Sequence, residues 1–176
     1  MMGKILADQI LAAINFVYPE GSGLHDPFLN SENIRDVEKV IDSTMVSTYG
    51  NCVKEFEAEL ARRSKVPDVL ALSSGTSALH LSLHCGGVRP DDEVLVPALT
   101  FVGSVNPIMY CGATPHFVEV EEKSLGIDPK KLEEHLRKNA IFDGNKTINK
   151  KTRKHISAMI LVHLLGRPAA VKKLLA

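Results

Sequence analysis

Beyond residue 67 the chain alternates short apolar runs with amphipathic stretches, and this alternation constrains the fold more than any other feature. Residues 69–72, 93–96, 114–120 and 156–162 read as strands. Residues 76–85, a stretch ending near Gly112, and a segment opened by Asp128-Pro129 read as helices. Aspartate accepts from the orphan N–H groups of a helix start, and proline suits its first position. Parallel neighbours need a crossover, so strand–helix alternation predicts a mostly parallel sheet covered by helices, an α/β fold. Residues 156–162 are apolar apart from Ser157, which predicts burial on both faces. In residues 114–120, Phe117 and Glu119 fall on one face and His116, Val118 and Val120 on the other. A helix running from Phe101 would carry Pro107 at its seventh position, at roughly 3 kcal/mol. A start at Ser104, with Pro107 in the first turn, or a kinked helix is expected instead.

Residues 1–66 read as an N-terminal helical segment, distinct from the α/β region 67–176. Residues 1–17 carry Leu6, Ile10, Ile14 and Val17 at helical spacing. Residues 18–28 form a loop punctuated by Pro19, Gly21, Gly23 and Pro27. Ile34, Val37, Val40 and Ile41 mark a second helix, capped by Asn30 or Ser31. After the break at Gly50-Asn51, Val53, Phe56, Leu60 and Ala61 mark a third, ending near Pro67. At the other end, Pro168 to Ala176 reads as a nine-residue helix without a C-cap, from which a longer parent chain is expected.

Composition narrows the function classes. Of 176 residues, 44% are apolar and 24% charged, ordinary for a globular chain and unlike a disordered, collagen-like or disulfide-stapled one. Lys and Arg number 21, as do Asp and Glu, so no global field draws the chain to nucleic acid or to an anionic membrane. Cys52, Cys85 and Cys111 are odd in number and lack CxxC spacing, which fits reduced thiols in the cytoplasm. Asp8 and Gln9 interrupt what would be a signal-peptide core, and the longest apolar run, 156–165, is too short to span a bilayer.

The strongest chemical feature is Ser73-Ser74-Gly75-Thr76-Ser77-Ala78-Leu79, between a predicted strand and a predicted helix. Helix N-termini present unpaired N–H groups and partial positive charge to anions. Glycine allows close backbone approach, and the hydroxyls of Ser74, Thr76 and Ser77 add donors. The same residues also suit an ordinary hydroxyl-capped helix start. Neither a Walker loop nor a dinucleotide fingerprint is present. His80 and His84 lie four apart without a third ligand, so polar helix-edge positions are expected rather than a metal site. Asp91, Asp92 and Glu93 read as a solvated turn, and Cys111 as a small buried hydrophobe. Residues 137–155 hold seven basic residues against Asp143 alone. They read as a solvated insertion loop, with too few aromatics for base stacking.

An ordered set of motifs resembles the DegT/DnrJ/StrS family of pyridoxal-phosphate sugar aminotransferases over residues 25–176. The set is Gly50…Phe56-Glu57, Ser74-Gly75-Thr76-Ser77-Ala78-Leu79, Asp92-Glu93-Val94 with Pro97, Thr100-Phe101, Gly112-Ala113-Thr114-Pro115 and Val162-His163-Leu164-Leu165-Gly166. Asp42-Ser43-Thr44, Tyr110-Cys111-Gly112 and Asn149-Lys150-Lys151-Thr152-Arg153 most resemble a branch acting on nucleotide-linked 4-keto sugars for legionaminic-type nonulosonic acids. The resemblance implies the N-terminal part of a fold-type I cofactor-binding domain over residues 67–176. It implies that Gly75, Thr76 and Ser77, with Ser74, hold the cofactor phosphate, that Phe101 stacks on the pyridine ring, and that His163 lies at a strand end near the site. It also implies glutamate as amino donor and a homodimer, with the loop around residues 47–50 facing a partner. The family's Schiff-base lysine and its cofactor aspartate would follow residue 176, so the chain alone is expected to be inactive. Two other functions stay open at this level: a non-catalytic remnant that pairs with another subunit, and an unrelated phosphate- or nucleotide-binding α/β module.

Overall fold

A computed structural model describes residues 2–17 and 27–175, with side chains from residue 8 onward in the first helix and excluding that of Val17. The predicted loop at 18–28 lies mostly outside the described residues, as do the side chains of Leu6 and Val17. The chain divides into two compact units, Met1–Leu70 and Ala71–Ala176.

The first unit holds three helices, α1 (Met2–Val17), α2 (Ser31–Asp42) and α3 (Asn51–Ser64). Asn30 caps α2: its Oδ1 accepts from the Glu32 and Asn33 amides at 3.0 and 3.1 Å, while Asn33 accepts from the Asn30 amide at 2.9 Å. Reciprocal bonds of this kind satisfy donors that the helix geometry leaves open. Lys65 ends α3 in the left-handed conformation. The apolar stripe read from sequence is present on α2, yet Ile34, Val37 and Ile41 stay exposed.

The second unit is built on a five-stranded sheet in the order β2-β1-β5-β4-β3. The strands are β1 (Glu93–Pro97), β2 (Thr114–Val118), β3 (Ala140–Asp143), β4 (Lys146–Asn149) and β5 (His155–Met159). β1 pairs in parallel with β2 and with β5, and β4 pairs antiparallel with β5 and β3. Helices α4 (Gly75–Cys85) and α5 (Asn106–Tyr110) bring Leu83 and Ile108 onto a core with Val94, Val96 and Ile160. α6 (Pro129–Asn139) covers a second core of Leu95, Val118, Ile127, Leu132 and Ile156. β1 lies between the two cores and is buried at every residue. Each valine so buried contributes about 1.5–3 kcal/mol. Asp128 caps α6 by accepting from the Lys130 and Lys131 amides, and Pro107 falls in the first turn of α5 after a 3₁₀ turn at Val102–Ser104.

Five sequence readings need correction. Residues 69–72 are irregular and take no place in the sheet, and Leu70 and Leu72 are exposed. Residues 137–155 are not a solvated loop: they hold the end of α6 and the β3–β4 hairpin. Ile141 faces Ile148 across a two-residue Gly144-Asn145 turn, in which Gly144 has φ +61°. The run at 156–162 is a strand only as far as Met159, and its burial is incomplete. The pairing of β5 with β1 slips by one residue, from Glu93↔Ile156 to Val94↔Ala158, which leaves Ser157 as a bulge. Glu93, read with a solvated turn, is 3% exposed. The C-terminal helix is α7, Val171–Leu174, rather than nine residues.

Candidate functional site

The carboxyl end of β1 leads into Thr100 and Phe101, and the N-terminus of α4 meets this loop. An ideal Cβ on Gly103 would lie 2.8 Å from Phe101 Cδ1 and 3.2 Å from Thr76 Oγ1. Phe101 and Thr76 therefore converge on the same glycine, and the Phe101 side is open, with the residue 74% exposed. Thr100 Oγ1 donates to Ser104 Oγ at 3.0 Å and fixes the loop from within.

At the helix start, Ser74 is the N-cap. Its Oγ accepts from the Ser77 amide at 3.1 Å and lies 3.0 Å from Ser77 Oγ, while its carbonyl accepts from the Ala78 amide. The amides of Gly75 and Thr76 take no partner among the described residues. A Cβ on Gly75 would meet nothing within 4 Å, so its flank is open. Of the three residues that the resemblance assigns to the phosphate, Gly75 and Thr76 thus have amides without a partner among the described residues, and the Ser77 amide is satisfied internally. The Ser77 hydroxyl lies 3.0 Å from Ser74 Oγ and 3.5 Å from Ser73 Oγ, so it is held within the turn.

The remaining sequence candidates divide. His163 follows β5 and is exposed, with Nδ1 accepting from the Ala169 amide at 3.0 Å. His80 packs edge-to-face on Tyr110 with ring centroids 5.6 Å apart. Cys111 is partly buried, and burial pushes its thiol above its ordinary pKa.

The N-terminus of α4 thus lies open beside the loop that follows β1 in an α/β fold with a mixed sheet, parallel at its core. The chain belongs to the DegT/DnrJ/EryC1/StrS aminotransferase family, whose profile matches residues 27–176. It is 35% identical over 151 residues to a GDP-perosamine synthase of Vibrio cholerae, covering 86% of this chain and 37% of that protein. A DegT DnrJ EryC1 StrS aminotransferase from Brucella abortus superposes with a TM-score of 0.69 at 27% identity, covering 86% of this chain and 40% of that one. A putative sugar aminotransferase from Streptococcus pneumoniae, solved in its PMP form, gives 0.67 at 26% identity, over 88% and 35%. The chain thus spans little more than a third of the length of the curated relative it matches. Aminotransferases of this family use pyridoxal phosphate. The free amides of Gly75 and Thr76, the open flank of Gly75 and the exposed Phe101 ring fit a phosphate joined to an aromatic ring. Among the described residues, no helix is long and apolar enough to cross a membrane.

Proposed function

We propose that this chain forms the N-terminal part of the cofactor-binding domain of a pyridoxal-phosphate-dependent sugar aminotransferase. The whole enzyme moves an amino group from glutamate to a nucleotide-activated keto sugar, in cell-surface polysaccharide or nonulosonic acid synthesis. It works in the cytoplasm as a homodimer. Family membership and the likeness to GDP-perosamine synthase support this reading.

Pyridoxal phosphate, when bound, supplies an electron sink that carries the amino group between donor and sugar. The Gly75 and Thr76 amides hold its phosphate at the positive end of α4, helped by the hydroxyls of Ser74 and Thr76. Phe101 lies against its ring, an aromatic contact worth about 0.5–1.5 kcal/mol beyond area burial. His163, beyond the end of β5, lies near the site in this reading. We assign neither the family's covalent lysine nor its ring-pairing aspartate to a residue of this chain, and on that reading it binds the cofactor without transaminating.

The observation that carries the reading is the pair of free amides beside an exposed aromatic ring. Competition binding tests it. Pyridoxal phosphate should bind well above pyridoxal, nucleotides should not displace it, and Phe101→Ala with Thr76→Ala should weaken it. Equal binding of pyridoxal would overturn the phosphate assignment. Borohydride reduction followed by peptide mapping tests the missing lysine: one specifically modified lysine within this chain would refute its inactivity.

A further inference from the structure

A buried polar chain lies at the amino end of β1, remote in role from the α4 turn. Glu93 Oε2 accepts from His116 Nδ1 at 2.7 Å and from Asn149 Nδ2 at 2.8 Å, and Oε1 accepts from Thr152 Oγ1 at 2.6 Å. His116 Nε2 lies 2.8 Å from His135 Nε2, and Asn139 Nδ2 lies 3.2 Å from His135 Nδ1 and 3.0 Å from the His135 carbonyl. The rings stand edge-to-face, 88° apart. These groups come from β1, β2, α6, β4 and the turn after β4, so one carboxylate and two imidazoles join five segments.

One proton arrangement satisfies every atom. His116 donates from Nδ1 to the carboxylate and accepts at Nε2, His135 donates from Nε2, and its Nδ1 accepts from Asn139. One added proton forces the Asn139 amide to turn, losing its bond to the His135 carbonyl. A second opposes two N–H groups across 2.8 Å, and the contact cannot persist.

We propose that Glu93, His116 and His135 form a proton-limited clasp that fastens α6 to the parallel strands and opens in acid. The charges around it leave this logic intact. Asp92 faces His155 at 3.4 Å, Lys154 faces Asp91 at 3.5 Å, and Lys150 Nζ is held by the carbonyls of Arg137 and Lys138. Burial and the charge of His116 lower the proton affinity of His135, and the more distant Glu93 charge opposes them. A group whose folded pKa lies below its unfolded value contributes stability that is present above the unfolded value and lost as pH falls through the folded one.

Imidazole nitrogen NMR and amide exchange on the intact chain test the clasp. At about pH 7.5, His116 should carry its proton on Nδ1 and His135 on Nε2. Between about pH 7.5 and 5, protection of the Leu136 amide should fall about tenfold while that of Ile141, Ile148, Val94 and Val96 holds. In His135→Gln that selective loss should vanish. Opposite tautomers, a uniform loss across the sheet, or the same selective loss in His135→Gln would each overturn the proposal. Should His135→Gln fail to fold, the tautomers and exchange pattern of the natural chain decide alone.

Discussion

The Glu93 carboxylate accepts a 2.8 Å hydrogen bond from Asn149, fifty-six residues away in sequence. That bond ties the central parallel strand to the hairpin strand across β5. Its energy follows from burial: three donors converge on one carboxylate that water cannot reach. Glu93→Ala removes the acceptor and strands all three, at about 1–3 kcal/mol for each donor left unsatisfied. Asn149→Ala leaves the carboxylate two donors and should lose about 1–3 kcal/mol. Urea unfolding monitored by circular dichroism measures both, and a Glu93→Ala loss no larger than that of a surface substitution would contradict this account.

Acid should weaken the same carboxylate. Burial on its own would raise the Glu93 pKa, but hydrogen bonds from Thr152, Asn149 and His116, with the charge of His116, together hold it below the ordinary carboxylate value. The folded state thus binds this proton less readily than the unfolded chain. Stability from Glu93 is complete above the ordinary value and declines as pH falls below it toward the folded pKa. Denaturation midpoints recorded down the pH scale should show this acid limb in the natural chain and lack it in Glu93→Gln.

Gly75→Asp separates folding from ligand binding at the α4 turn. The added Cβ meets nothing within 4 Å. A carboxylate in the first turn interacts favourably with the helix dipole, by about 0.3–1 kcal/mol. The variant should therefore fold as well as the natural chain while its own charge occupies the place of the phosphate. Loss of pyridoxal phosphate binding with an unchanged melting temperature is the expected result, read by fluorescence titration and thermal scanning.

Ser157 offers a gain. Its hydroxyl is the buried side-chain polar atom without a hydrogen-bond partner among the described residues, and it sits at the bulge of β5. Desolvating an unpaired hydroxyl costs about 1–3 kcal/mol, most of which alanine avoids. Ser157→Ala should raise the unfolding midpoint, and a fall would show that the hydroxyl has a use.

Local chemistry alone determined much of this protein. Asn30 and Asp128 announced helix starts because their side chains accept from neighbouring amides, and Pro107 placed a first turn because proline lacks a donor. The α4 turn was legible for the same reason, since Ser74, Gly75 and Thr76 act through groups only a few residues apart. The Gly144-Asn145 hairpin was also written locally and was obscured by the surrounding lysines. Only the tertiary structure decided the rest. Residues 69–72 read as a strand but have no ladder in the sheet, and the bulge at Ser157 depends on where β1 meets β5. Glu93 looked like a solvated turn residue because its three donors lie 23, 56 and 59 positions away. A strand ladder and a buried carboxylate are defined by their partners, and periodicity along one segment carries no information about which distant segment supplies them.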